Sequence, residues 1–102
     1  MAQSNIKVRD IQGREYATES SQMAFGRDTQ CKVCFHDGEK SVSTHHCVLY
    51  KENGKLYLMD QGSTNGTFFS EEERLKSNVP YRVNKGTAFF LCSRRYTFVI
   101  AE

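Results

Sequence analysis

An antiparallel β-sandwich or barrel is the fold that this sequence predicts, and three observations predict it. Apolar residues recur at every second position in short runs, turn formers separate the runs at close spacing, and helix signals are confined to one stretch. Aromatic and β-branched residues dominate the runs, as a pleated, half-buried surface favours.

The elements follow in chain order. Ile6, Val8 and Ile11 open an N-terminal strand, and Val33 and Phe35 alternate with Lys32 and Cys34. The run His46-Cys47-Val48-Leu49-Tyr50 predicts a strong strand, and Lys51-Glu52-Asn53-Gly54 predicts a hairpin connection with Asn-Gly at its tip. Leu56 to Met59 forms the returning strand. Farther on, Asn65-Gly66 reads locally as another hairpin turn. Thr87 to Cys92 and Tyr96 to Ile100 form a late pair joined through Ser93-Arg94-Arg95. The one helix candidate is SEEERLKSN, where Ser70 and Glu73 have capping-box spacing. Leu75 is its only apolar contact, so a single turn is expected there.

The chain's 102 residues suit one domain running from 1 to 102, with no repeats, linkers or low-complexity tracts. Hydrophobic residues make up 38% and charged residues 25%, an ordinary globular balance that excludes the disordered and fibrous classes. A net charge of +2 is too small for a nucleic-acid binder that relies on a basic face, so any bound anion must be held locally. The N-terminal MAQSNIKVRD lacks the apolar core of a secretory signal, and no later run is long enough to span a membrane. A cytoplasmic location is therefore expected.

Cys31 and Cys34 form a C-x-x-C pair, but Cys47 and Cys92 stand apart in apolar stretches, and no second pair completes a zinc set. Buried thiols are the favoured reading. His45, His46 and Cys47 raise the alternative of catalysis or metal binding. Neighbouring residues on a strand point to opposite faces, however, so His45 and His46 cannot converge on one ion, nor can His46 and Cys47 form a nucleophile–base pair. No enzyme activity, metal or cofactor is expected.

Three loops carry more polar chemistry than chain reversal requires: Gly26-Arg27-Asp28, Ser41 to His46, and Ser63-Thr64-Asn65-Gly66-Thr67. Turn chemistry accounts for any one of them. It does not account for an arginine and two hydroxyl-rich segments all flanking strand ends. Arginine offers paired donors to a phosphate, and hydroxyls and amides complete the shell around its oxygens. One such cluster on a nearly neutral domain suits a single phosphate on a peptide.

The blocks G-R at 26–27, S-x-x-H at 43–46 and D-x-G-S-T-N-G-T at 60–67 resemble the forkhead-associated (FHA) domain in order and spacing. The opening F-G-R-D-x-x-x-x-V at 25–33 and the stretch N-K-G-T-A-F-F-L at 84–91 extend the likeness over residues 5–101. The resemblance implies an all-β antiparallel β-sandwich, a signalling module that binds phosphothreonine peptides through recognition loops at one end. It implies that Arg27 contacts the phosphate, with Gly26 letting the chain turn to place it. Ser43 donates its hydroxyl to a phosphate oxygen, Thr44 is a weaker candidate beside it, and Thr64 lines the phosphothreonine pocket. Asn65 bonds the peptide backbone, His46 braces the loops from beneath, and Gly62 and Gly66 let the third loop bend.

The implied partner is a phosphothreonine protein made by a Ser/Thr kinase, with neither nucleic acid nor membrane involved. The domain is expected to act as a monomeric module, of a kind often carried in longer chains. The alternative within the same fold is a scaffold domain that binds an unphosphorylated protein surface. The chain departs from the family at Ser70-Glu71, where a second Asn-Gly usually braces the loop, and Glu71 to Glu73 add negative charge nearby. That charge predicts a preference for neutral or basic ligand residues on this side.

Overall fold

The computed structural model describes residues 6–35 and 40–101. Among them the strands are β1 (Ile6–Asp10), β2 (Glu15–Thr18), β3 (Gln22–Gly26), β4 (Val33–Cys34), β5 (Cys47–Glu52) and β6 (Lys55–Asp60). After these come β7 (Thr67–Ser70), β8 (Glu73–Arg74), β9 (Tyr81–Val83), β10 (Ala88–Leu91) and β11 (Thr97–Ile100). One sheet has the order β2-β1-β11-β10-β7-β8 and the other β4-β3-β5-β6-β9. Every neighbouring pair is antiparallel except β3 and β4. The sandwich expected from the sequence is the one observed.

Period-two alternation builds the core between the sheets. Met23, Phe25, Leu49, Leu56 and Leu58 point inward from one sheet, and Ile6, Val8, Phe89, Leu91, Phe98 and Ile100 from the other. Phe25 joins the layers, meeting Phe89 and Phe98 edge-on with ring centres 5.5 and 5.2 Å apart. Burying one such side chain stabilises the fold by about 1.5–3 kcal/mol.

Register sets the loops at one end. Phe25, next to last in β3, pairs with Cys47 at the start of β5, and Cys47 pairs with Asp60 at the end of β6. In the facing sheet Thr67 at the start of β7 pairs with Leu91 at the end of β10. The connections after β3, before β5, between β6 and β7, and after β10 therefore leave the same end.

Several expectations are corrected. Ile11 lies beyond β1 in an exposed turn, because Asp10 turns the chain by accepting the N–H groups of Gln12 and Arg14 at 2.9 Å each. Phe35 lies beyond β4, half-buried and edge-on to Tyr96 at 5.4 Å. The 61–66 segment is no hairpin: β6 and β7 belong to different sheets, and the segment carries the chain across. SEEERLKSN contains no helical turn but a tight reversal in which Ser70 pairs with Glu73, across a register irregularity. The Ser70 hydroxyl accepts the Glu72 N–H at 3.3 Å and donates to Glu73 Oε1 at 3.2 Å, so the capping-box spacing serves a β-turn. Without an apolar stripe to bury, a helix there had nothing to stabilise it. All four cysteines are thiols; Cys31 and Cys47 are buried, whereas Cys34 and Cys92 are partly exposed.

Candidate functional site

Gly26 ends β3, and its role differs from a turn glycine. Its φ lies outside the left-handed region, but a Cβ there would come within 2.2 Å of the Thr44 carbonyl oxygen. Only glycine lets the 43–44 backbone lie directly against the strand end. Arg27 follows. Its backbone N–H donates to the Ser43 carbonyl at 3.2 Å, and its Nε donates to the Val42 carbonyl at 2.5 Å. Val42 is fully buried, so the carbonyl that orients the guanidinium is anchored in the core. The terminal nitrogens of Arg27 have no protein partner among the described residues.

Ser43 is held from both sides. Its N–H donates to His46 Nδ1 at 3.1 Å, and its hydroxyl oxygen accepts the Thr64 N–H at 3.1 Å. The hydroxyl proton remains available for an outside acceptor. Thr44 is exposed, and its carbonyl accepts the Asp28 N–H at 3.2 Å and the Cys31 thiol at 3.8 Å.

His46 is fully buried and joins the loops. Because Nδ1 accepts from Ser43, the ring proton sits on Nε2 and is donated to the Gly66 carbonyl at 2.8 Å. Its backbone N–H donates to Phe25 and its carbonyl accepts from Gln61, each at 2.9 Å. Burial pushes its pKa below the usual imidazole value, outweighing the Gly66 hydrogen bond and nearby Asp60, which favour the charged form.

The third loop rests on Asp60, which sequence reasoning had not placed in the site. Period two directs Leu56, Leu58 and Asp60 of β6 inward, so the strand ends on a buried carboxylate. One oxygen, Oδ2, accepts the N–H groups of Gly62 and Ser63 and the Ser77 hydroxyl, each at 3.0 Å. Oδ1 accepts the hydroxyls of Ser63 at 2.5 Å and Thr67 at 2.7 Å. Burial pushes its pKa up, but these bonds together outweigh it and hold the carboxyl below its ordinary value. The family motif contained the signal, since Asp60 opens D-x-G-S-T-N-G-T. Ser77 gave none.

Gly62 and Gly66 both take left-handed backbone, with φ of 83° and 90°. The Gly66 N–H donates to the Ser63 hydroxyl at 3.0 Å. Between the two glycines, Thr64 and Asn65 face outward. Asn65 Nδ2 donates to the Ser41 carbonyl at 2.8 Å, which leaves its amide oxygen outward as an acceptor. Cys92, itself at φ 67°, donates its thiol to the same carbonyl at 3.0 Å. The structure thus brings Arg27, Ser43, Thr64 and Asn65 to one end across three interlocked loops, over a buried base of His46 and Asp60.

His45 and His46 diverge, as neighbouring residues should. His45 is exposed, 3.6 Å from Asp28, while both ring nitrogens of His46 are engaged within the protein. Burial drives the Cys47 thiol far above its ordinary pKa, which keeps it from being a nucleophile.

The FHA domain family model matches residues 23–92. No curated protein matches the chain. Among solved structures, Mycobacterium tuberculosis EmbR in complex with a low-affinity phosphopeptide superposes with a TM-score of 0.78 at 24% identity. That match covers 94% of this chain and 24% of the EmbR chain, so the present sequence spans about a quarter of that protein. The FHA domain of human APLF, in complex with an XRCC1 bisphospho peptide, gives 0.75 at 25% identity over 96% of this chain and 98% of that one. A domain from a study of phosphothreonine-dependent FHA interactions gives 0.72 at 19% identity, covering 96% of each chain. With the family model matching most of its length, the chain belongs to the FHA domain family.

Proposed function

We propose that this domain binds a phosphothreonine-containing segment of a partner protein at its loop end. The observation that carries the reading is the convergence of Arg27, Ser43, Thr64 and Asn65 with outward donors and acceptors left unspent. The terminal nitrogens of Arg27 take two phosphate oxygens as a fork. The Ser43 hydroxyl donates to an oxygen, and Thr64 closes the pocket around the phosphothreonine, with Thr44 at its rim. The outward amide oxygen of Asn65 accepts a backbone N–H of the peptide and fixes its direction. A phosphate carries about −1.5 to −2 charge at neutral pH, and Arg27 meets it without a competing carboxylate partner in the described residues.

Threonine is preferred to serine because the extra methyl, once buried, contributes about 0.8 kcal/mol, or roughly fourfold in affinity. The bound protein is thus a product of a Ser/Thr kinase, and the domain acts as a reader and not as a catalyst. The test is a phosphothreonine peptide library screen, followed by titration of the best peptide in phosphothreonine, phosphoserine and unphosphorylated forms. Binding is expected to fall in that order. Equal binding of phosphorylated and unphosphorylated peptide contradicts the proposal and favours a scaffold role on the same fold.

A further inference from the structure

We propose that Arg74 is a specificity residue that engages an aspartate or glutamate of the ligand beside the phosphothreonine, an inference that rests on the phosphopeptide reading above. Arg74 stands on β8 in register with Phe68 of β7, its guanidinium carbon 5.9 Å from the centre of that ring. From there Nη2 donates to the Thr64 carbonyl at 3.3 Å. The side chain also passes so close to Gly66 that a Cβ there would come within 2.7 Å of Nε. The loop that presents Thr64 and Asn65 is therefore backed by an arginine whose positive end lies at the rim of the pocket.

What makes this arginine more than a brace is its charge balance. Three glutamates precede it, and two of them have partners other than Arg74. Glu71 pairs with Arg94 at 3.0 Å, and Glu73 receives the Ser70 hydroxyl. None of the ion pairs among the described residues includes Arg74. Its other guanidinium N–H groups have no acceptor among those residues. A peptide whose phosphothreonine sits against Thr64 and whose backbone meets Asn65 brings its neighbouring side chains past a guanidinium that no carboxylate pairs with among the described residues. A carboxylate there gains a charge-assisted partner, whereas a lysine is repelled. The resulting preference is for acid, the reverse of what the glutamate run alone predicts.

The experiment is a double-mutant cycle between ligand and protein. A phosphothreonine peptide that binds is resynthesised with Asp, Ala or Lys at each flanking position in turn and titrated against the unaltered domain and Arg74→Gln at low salt. At one position Asp is expected to bind about two- to fivefold more tightly than Ala, the range of a partly exposed ion pair. That advantage should vanish in Arg74→Gln and shrink as salt is raised. If Arg74→Gln weakens the Asp and Ala peptides by the same factor, Arg74 only positions Thr64 and the inference is wrong. An equal preference for Asp in both proteins is likewise contrary. Failure of every phosphopeptide to bind sinks the phosphopeptide reading itself, an outcome distinct from either of these.

Discussion

The two ends of the sandwich solve the same problem with different means. At one end β5 turns into β6 through Asn53-Gly54, both in left-handed backbone at φ 55° and 76°, and both exposed. Two residues suffice there, as they do in many hairpins. At the other end the chain crosses from β6 to β7 over a buried carboxylate and a buried imidazole, each saturated with hydrogen bonds from the loops. Turn closure alone does not call for that expense. It fixes the loop backbone from below so that Arg27, Ser43, Thr64 and Asn65 keep their free atoms outward, which is the preorganisation a small charged site needs.

The largest test of this contrast is Asp60→Ala. It leaves two backbone N–H groups and three hydroxyls without their shared acceptor. Hydrogen bonds to charged groups are worth about 1.5–3 kcal/mol each and do not simply add. Chemical denaturation should show a loss of about 3 kcal/mol or more. A loss below about 1 kcal/mol would mean that water replaces the carboxylate and that the buried base is not what holds the loops.

A pair of glycine substitutions sharpens the comparison. Gly54→Ala places a Cβ in open space at positive φ, which costs about 1–2 kcal/mol in stability and nothing in peptide binding. Gly26→Ala meets the Thr44 carbonyl and must push the 43–44 backbone away, costing about 1–3 kcal/mol. Because Ser43 moves with it, affinity for a phosphothreonine peptide should fall about tenfold or more. Equal affinities in the two variants would show that the close approach at Gly26 does not position the site.

The smallest expected effect is a pH dependence. His46 has a folded pKa below its ordinary 6.5, so in acid the unfolded chain binds a proton that the folded chain resists. Its contribution is therefore intact above 6.5 and is lost as pH falls from there through the folded pKa. Denaturation midpoints should decline over that interval, and the decline should flatten in His46→Gln. An unchanged slope in the variant would assign the proton uptake to another group.

Much of this end was legible before the structure, because local rules write it. The three blocks, the Asn53-Gly54 hairpin and the alternating core positions depend on neighbours in the chain. What escaped depends on partners far away. The sheet to which β7 belongs is a tertiary fact, so 61–66 read as a hairpin when it is a crossing. β2 alternates only between exposed and half-buried residues, and β9 has three residues, so neither carries a strong apolar signal. Ser70 and Glu73 have a spacing that suits a helix start and a β-turn equally. Ser77 and Arg74 reach the third loop only because β8 folds back along β7 and the chain beyond it runs beside Asp60. His36 to Glu39 lie outside the described residues.

The most direct measurement of the central claim is the affinity of a selected phosphothreonine peptide for Arg27→Lys, with stability measured on the same sample. The substitution keeps one positive charge and removes the fork. The account predicts that affinity falls about ten- to hundredfold, the worth of one charge-assisted bond, while stability changes by no more than about 1 kcal/mol. Affinity equal to that of the unaltered domain, at unaltered stability, would place the phosphate elsewhere and contradict the account.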